Sequence, residues 1–153
     1  MIISWANDKN FVEEKFAPKQ RLKLIEECGE LAGAILKNKV DEQKDAIGDI
    51  FVVLVILQKQ YDENYKFELD KVPFSEDVDT CLINIISDSV DCDGIDICFI
   101  WLFELSLCIN QDLTECANLA WNEIKNRTGK TVDGTFIKDD VVITKPQFPD
   151  DRK

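Results

Sequence analysis

The stretch from Leu24 to Leu57, LIEECGELAGAILKNKVDEQKDAIGDIFVVLVIL, decides the fold. It sets five of its seven acids, Glu26, Glu27, Glu30, Asp45 and Asp49, along two successive helical segments that are otherwise strongly apolar. At about 100° per residue, Glu27 and Glu30 lie about 60° apart around the first helix and Glu26 and Glu30 about 40° apart. The three share a face. On the second helix Asp45 and Asp49 stand one turn apart, and Asp49 is followed by the unbroken run Ile50, Phe51, Val52, Val53, Leu54, Val55, Ile56 and Leu57. A helix apolar on all sides is an interior helix. An ionised Asp at its head is costly to desolvate unless it is hydrogen-bonded, paired with a cation or bound to a metal. Lys23 is the one cation within three residues of Glu26 to Glu30, and Lys44 the one beside Asp45. Local cations are too few to neutralise the cluster; a divalent metal would do so.

Pro18 suits the first turn of the first of these helices, which is expected to run to about Asn38. Leu24, Cys28, Leu31 and Ile35 form its core stripe, and Lys23, Glu27, Glu30 and Ala34 an adjacent one, so the acids border the core. Gly29, Gly33 and the alanines at 32 and 34 are expected to let another helix approach closely. Asp41 is the expected N-cap of the next helix, which continues to about Tyr61. The short link at Lys39 and Val40 makes the pair an antiparallel hairpin. Glu30 and Asp49 then sit at similar depth from the turn and can face each other.

The same periodicity extends outward. Ser4 is expected to cap a helix from about Trp5 to Phe16, with Trp5, Phe11, Val12 and Phe16 as its apolar contacts. Residues 62 to 75 break the pattern and read as a loop. Ser75 is placed to cap a helix from Glu76 to Val90, ended by DCDG at 91 to 94. Ile95 to Ile109 reads as a second very apolar helix, its resemblance to the Asp49 segment reflecting two core helices rather than a duplication. Asp112 and Glu115 resemble a capping box that opens a helix from Leu113 to Thr128, with Gly129 as its stop. The expected fold is therefore all-α, a helical bundle built around the acidic hairpin. We expect a helical domain over 1–130 and a tail over 131–153, with an Asp-Gly turn at 133 and 134 that suits a small β-hairpin and an extended last eight residues.

A chain of 153 residues, 45% of them apolar, can fill one core. The formal charge of −12 argues against a nucleic-acid duplex or an anionic membrane as the main partner. It leaves room for a small anion delivered with Mg²⁺. The N-terminus lacks the basic start and apolar core of a signal peptide, and no apolar run is long enough to span a bilayer, so a cytoplasmic location is expected. The six cysteines, at 28, 81, 92, 98, 108 and 116, contain no CxxC pair, and histidine is absent. Zinc is not expected, and the cysteines, including Cys28, Cys98, Cys108 and Cys116 in helical patterns, read as reduced core thiols. Without histidine, carboxylates and metal must carry any hydrolytic chemistry.

A second polar feature is WNEIKNRTGK at 121 to 130, which holds Asn122, Lys125, Arg127 and Lys130. Cations near a helix C-terminus suit the macrodipole. The functional alternative is a polyphosphate grip, with Arg127 as a bidentate donor and Lys125 as a point charge.

Trp5, KLIEECGELAGAI at 23 to 35, DAIGDIFVVL at 45 to 54 and WNEIKNRTGK together resemble the MazG-like nucleotide pyrophosphohydrolases, above all the small single-domain members of phages and bacteria. The resemblance covers nearly the whole chain apart from residues 62 to 93. The family pattern is an ExxE on one helix and an ExxD on the next, together holding Mg²⁺, with Mn²⁺ as a substitute. Glu27 and Glu30 match the first pair and Asp49 the end of the second. Position 46 is Ala where the family has an acid, and Asp45 stands one residue earlier. The resemblance implies an all-α fold, a homodimer or homotetramer, and hydrolysis of (d)NTP to (d)NMP plus pyrophosphate. Carried onto this chain, the metal ligands are Glu27, Glu30, Asp45 and Asp49, and Glu27 or Glu26 orients or deprotonates the water. Asn122, Lys125, Arg127 and Lys130 hold phosphates, and Trp5, Phe11 or Trp121 walls the base. Two other readings compete: a catalytically weak or inactive helical nucleotide-binding or assembly protein, which has lost turnover through Ala46, and a purely structural bundle.

Overall fold

The computed structural model of the chain describes residues 1–61, 77–90 and 92–139. The architecture is helical: α1 (Ile2–Asp8), α2 (Ala17–Leu36), α3 (Val40–Tyr61), α4 (Val78–Asp88), α5 (Cys92–Cys108) and α6 (Leu113–Ile124), followed by strands β1 (Gly129–Val132) and β2 (Thr135–Lys138). The all-α expectation holds, with the antiparallel hairpin at its end. The loop expected over 62 to 75, its Ser75 and Glu76 boundary, Asp91 and the last eight residues lie outside the described residues.

Three helices end by one device. Asn10, Asn38 and Asn110 take left-handed backbone with φ of 58°, 57° and 57°, a conformation Asn tolerates better than other residues with a Cβ. The residue after each donates its N–H back to the last turn: Phe11 to Ala6 O at 3.4 Å, Lys39 to Ala34 O at 2.9 Å and Gln111 to Ser106 O at 2.8 Å. At Asn10 this splits the helix expected from Trp5 to Phe16. The helix stops at Asp8, and the chain re-enters helical geometry through a 3-10 turn at Glu14–Phe16 that runs into α2. Ser4 therefore lies inside α1, and the cap position belongs to Met1. The break turns Phe11 inward, where it is buried against Trp5.

The α2–α3 hairpin closes as expected, although α3 begins at Val40 and Asp41 falls within its first turn. Helix α3 packs on α1, α2, α5 and α6. That explains its all-round apolarity. Ile50, Val53, Leu54 and Leu57 join the main core with Leu24, Cys28 and Leu31 of α2 and with Ile95, Cys98, Leu102 and Leu105 of α5. Val52 and Ile56 face a second cluster with Ala6, Phe11, Ala120 and Ile124. Helix α5 is less enclosed: Ile97, Phe103 and Leu107 are exposed, as is Cys108, which is not a core thiol.

Close helix approach falls elsewhere than expected. A Cβ at Gly29 or Gly33 would meet nothing within 4 Å, whereas one at Gly48 would overlap the Cys116 carbonyl oxygen and stand 2.8 Å from Ala120 Cβ. Gly48 is what seats α6 on α3. At the start of α6, Asp112 Oδ1 accepts the Glu115 N–H at 2.8 Å, while the Glu115 carboxylate turns to Lys44 at 2.8 Å. The capping box is thus half made. Helix α6 ends at Ile124 rather than Thr128, and Gly129 opens β1 because a Cβ there would overlap the Ile137 carbonyl.

The hairpin turn has φ of 48° at Asp133 and 75° at Gly134, as an Asp-Gly two-residue turn requires. It sets Thr131 opposite Phe136 and Gly129 opposite Lys138. The expected division at residue 130 falls within β1, and Phe136 packs against the second cluster.

The glycine contrast yields a stability test. Gly48→Ala should lower stability by about 1–3 kcal/mol through overpacking, and Gly33→Ala should raise it by roughly 0.5–1 kcal/mol through helix propensity. Urea unfolding of the two variants beside the parent checks both signs.

Candidate active site

The facing acids line a cavity of about 380 Å³ between α2, α3, the end of α6 and the hairpin. Glu26, Glu27 and Glu30 enter from α2 and Asp49 from α3, with Arg127 and Lys138 on the opposing wall. The depth match in the helix hairpin brings Glu30 and Asp49 to one space. Asp49, Val52, Val53 and Ile56 supply the α3 wall.

Desolvation dominates the electrostatics. Glu27 is 2% exposed. Its Oε1 pairs with Lys23 Nζ at 2.6 Å, and the same ammonium reaches Glu26 Oε2 at 2.9 Å. Among the described residues, Glu27 Oε2 is buried without a hydrogen-bond partner. Burial pushes the Glu27 carboxyl above its usual range; the bond to Lys23 opposes this, and the charges of Glu30 and Glu26 add to it. Asp49 is pushed up to about 7, first by burial, then by the charges of Glu27 and Asp45, with Arg127 pulling the other way. For Lys23, burial lowers the pKa, but bonding to Glu27 and Glu26 outweighs it and the net shift is upward. The thiol of Cys28 is pushed up to about 12 by burial and the Glu27 charge, so it is no nucleophile.

Asp45 is exposed and stands outside this lining. It borders an adjoining groove with Glu26, Glu30, Glu42 and Lys37. Glu26 and Glu30 line both spaces and connect them. Lys44, the cation beside Asp45 in sequence, is engaged by Glu115. Ala46 is 3% exposed, within the main core. At about 100° per residue, Asp45 lies about 40° to one side of Asp49 and Ala46 about 60° to the other, toward the packed side. Among the described residues, no three acidic or thiol side chains are drawn together closely enough to hold a metal ion as they stand.

The expected basic cluster divides. Arg127 lines the cavity, because α6 stops at Ile124 and the Arg127 N–H turns back to the Ile124 carbonyl; its guanidinium pairs with Glu123. Asn122, Lys125 and Lys130 do not line it. Lys125 Nζ donates to Asn122 Oδ1 at 2.7 Å on the exposed side of the turn, and Lys130 is exposed on β1. Trp5 and Phe11 stand in the cavity wall, whereas Trp121 borders a separate groove with Ile2, Phe51 and Leu113.

Sequence reasoning missed Lys19, Gln20, Phe136 and Lys138. The first two continue the stripe of Lys23, Glu27 and Glu30 one turn back along α2, so the signal was available. For Phe136 and Lys138 nothing in the local pattern points to the acids.

The fold is thus a helical bundle in which acidic side chains share one cavity with basic and aromatic ones. Residues 19–75 match the family model described as the MazG nucleotide pyrophosphohydrolase domain. The chain carries a MazG domain over those residues. It is also 56% identical over 59 residues to the "Uncharacterized 18.2 kDa protein in rep-hol intergenic region" of Haemophilus phage HP1 (strain HP1c1), across 39% of this chain and 36% of that protein. The matched part thus spans about a third of that phage protein's length. No solved structure matches the chain. Among the described residues, no single helix is long and apolar enough to cross a membrane.

The raised Asp49 pKa has a thermodynamic consequence in metal-free protein. The folded state holds the proton up to about 7 while the unfolded chain releases it near 3.8. Between those values the folded state binds more protons, so this group's contribution to stability falls as pH rises and is constant above the window. Asp49→Asn should remove that component: thermal melts in chelator should show a flatter profile from pH 4 to 7 and a variant more stable than the parent at pH 8. A parent-like slope in the variant would show that Asp49 is not the titrating group.

Proposed function

We propose that the chain hydrolyses nucleoside triphosphates, (d)NTP, to the monophosphate plus pyrophosphate with Mg²⁺, or Mn²⁺ in its place. The observation that carries this reading is one cavity in which Glu27, Glu30 and Asp49 stand against Arg127, Lys23 and an aromatic wall. The presence of the MazG domain supports it.

The donor set fits a hard divalent cation. Glu27 offers a buried oxygen without a partner, and Asp49 is a carboxyl whose surroundings oppose its charge until a cation is near. Glu27, Glu30 and Asp49 would hold the ion, with Asp45 joining from the adjoining groove. When bound, it supplies neutralisation of charge on the phosphoryl oxygens and a lower pKa for water.

The remaining work belongs to the chain. Water adds to the α-phosphorus, the bond to the bridging oxygen breaks, and the electron pair leaves with pyrophosphate. Glu27 is assigned to orient or deprotonate the water; Glu26, exposed beside it, is the alternative. Arg127 holds the outer phosphates through its planar fork. Asn122, Lys125 and Lys130 provide further donors beyond the rim. Val52, Val53, Ile56 and Ile124 exclude bulk water from one side of the cavity.

Ala46 favours the second reading, a catalytically weak or inactive nucleotide-binding or assembly protein, since the family's second acid pair is incomplete there. Pyrophosphate release with Mg²⁺ across the ribo- and deoxynucleoside triphosphates decides between them. Turnover by the parent, with Glu30→Gln and Asp49→Asn folded but slowed at least about 100-fold, supports catalysis. Ala46→Glu should not raise the rate and should lower stability by about 1–3 kcal/mol or more, because the new side chain enters a packed core. A rate gain in that variant would move the second reading ahead.

The chain is further assigned a homodimeric or homotetrameric state, on the exposed apolar residues Ile83, Val90, Ile97, Phe103 and Leu107 of the α4–α5 side. Light scattering should give a multiple of the 17.5 kDa chain mass, reduced by Phe103→Glu with Leu107→Glu; a monomeric parent would remove this assignment.

A further inference from the structure

The cavity has two chemically different ends. Asp49 and Ile56 are seven residues apart on α3, about 10 Å along the helix axis. The carboxylates and Arg127 occupy the Asp49 end. At the Ile56 end stand Trp5, Phe11 and Phe136, with ring centroids 5.4 Å apart for Trp5 and Phe11, 5.6 Å for Trp5 and Phe136, and 6.4 Å for Phe11 and Phe136. None of the three lies within the matched residues 19–75.

The β-hairpin bridges the two ends. Phe136 and Lys138 are two residues apart on β2 and so project from the same face, and both line the cavity. The register pairs Lys138 with Gly129, two residues beyond Arg127, so Lys138 lies toward the phosphate end and Phe136 toward the aromatic end. The hairpin is held in place by contacts away from the cavity floor: the Thr131 hydroxyl donates to the Lys9 carbonyl, and Gly134 lies so close to the Phe16 ring that a Cβ there would stand 2.7 Å from its Cγ. In the aromatic wall, Trp5 Nε1 is buried with no hydrogen-bond partner among the described residues. A buried N–H donor without an acceptor is disfavoured in a site that is only core packing. A ligand that brings an acceptor would answer it.

Resting on the nucleotide reading above, we propose that the C-terminal hairpin forms one wall of a nucleobase subsite. Phe136 supplies a stacking face beside Trp5 and Phe11, and Trp5 Nε1 donates to a carbonyl oxygen or ring nitrogen of the base. Phe136 and Trp5 are specificity-determining residues, and the polyphosphate end works without them. A planar heterocycle with an in-plane acceptor fits this wall, and an aliphatic group leaves the indole N–H unanswered.

The test separates base from phosphate. Calorimetric titrations with Mg²⁺ use the α,β-methylene analogues of ATP, GTP, CTP and UTP, and pyrophosphate as the base-free probe. The parent should bind at least one nucleoside analogue more tightly than pyrophosphate. Phe136→Leu and Phe136→Ala should weaken that analogue by about 10-fold or more, the scale of one stacked base, and change pyrophosphate affinity by less than about 2-fold. Phe136→Tyr should behave as the parent. Trp5→Phe, which keeps a ring and removes the donor, should weaken the preferred base most and flatten preference among the four. If Phe136→Ala does not fold, the Leu and Trp5→Phe variants decide. Parent-like nucleoside affinity in folded Phe136→Leu, or equal loss for nucleoside analogue and pyrophosphate, overturns the subsite and leaves the catalytic reading standing. A parent that binds neither probe removes the nucleotide reading and this subsite with it.

Discussion

The burial of Asp49 and Glu27 against the apolar helix α3 is the constraint on which the rest of the site depends. Charged carboxylates leave water only when something else answers their charge. Here Lys23 answers one oxygen of Glu27, while Asp49 is left with a carboxyl that favours its proton near neutrality. A bundle that sought stability alone would fill these positions with Leu or Ile. The acids instead sit where α2 and α3 face each other, the most extensive helix pairing in the fold, so the strain of desolvation is carried by its best-packed part.

Helix α3 can carry that load because it divides its apolar surface between two clusters. The main core, with α2, α4 and α5, holds the hairpin rigid behind the acids. The second cluster, with α1, α6 and the β-hairpin, is smaller and borders the cavity. Asp49 falls along the seam between them. The same seam admits Arg127, because α6 ends early enough for the chain to turn back across α3. Rigid positioning of acids and a mixed basic and aromatic opposite wall therefore follow from one helix being shared by two cores.

The departures from expectation have local causes. Asn10 in left-handed geometry ends α1 about two turns sooner than the apolar spacing implies, and by doing so delivers Phe11 to the cavity wall. Gly29 and Gly33, read as helix contacts, face open space, while Gly48, unremarked in the sequence, takes the tight contact with α6. A glycine's role depends on which neighbour passes over it, and periodicity along one helix carries no information about that neighbour.

Much was nevertheless legible in the chain alone. Apolar spacing, Pro18, the short link at Lys39 and Val40, and the Asp133-Gly134 turn determined the helix hairpin and the strand hairpin, since each rests on contacts within a few residues. Acid spacing on α2 and α3 placed Glu27, Glu30 and Asp49 along one space, because two helices joined by a short turn must align at equal depth. What tertiary structure decided is the opposite wall: that Arg127 turns inward while Lys125 binds Asn122 outside, that Asp45 belongs to an adjoining groove, that Ala46 is core, and that Phe136 and Lys138 join the same cavity from far along the chain. Those outcomes depend on how α6 and the hairpin dock on α3, a long-range packing that local pattern does not encode.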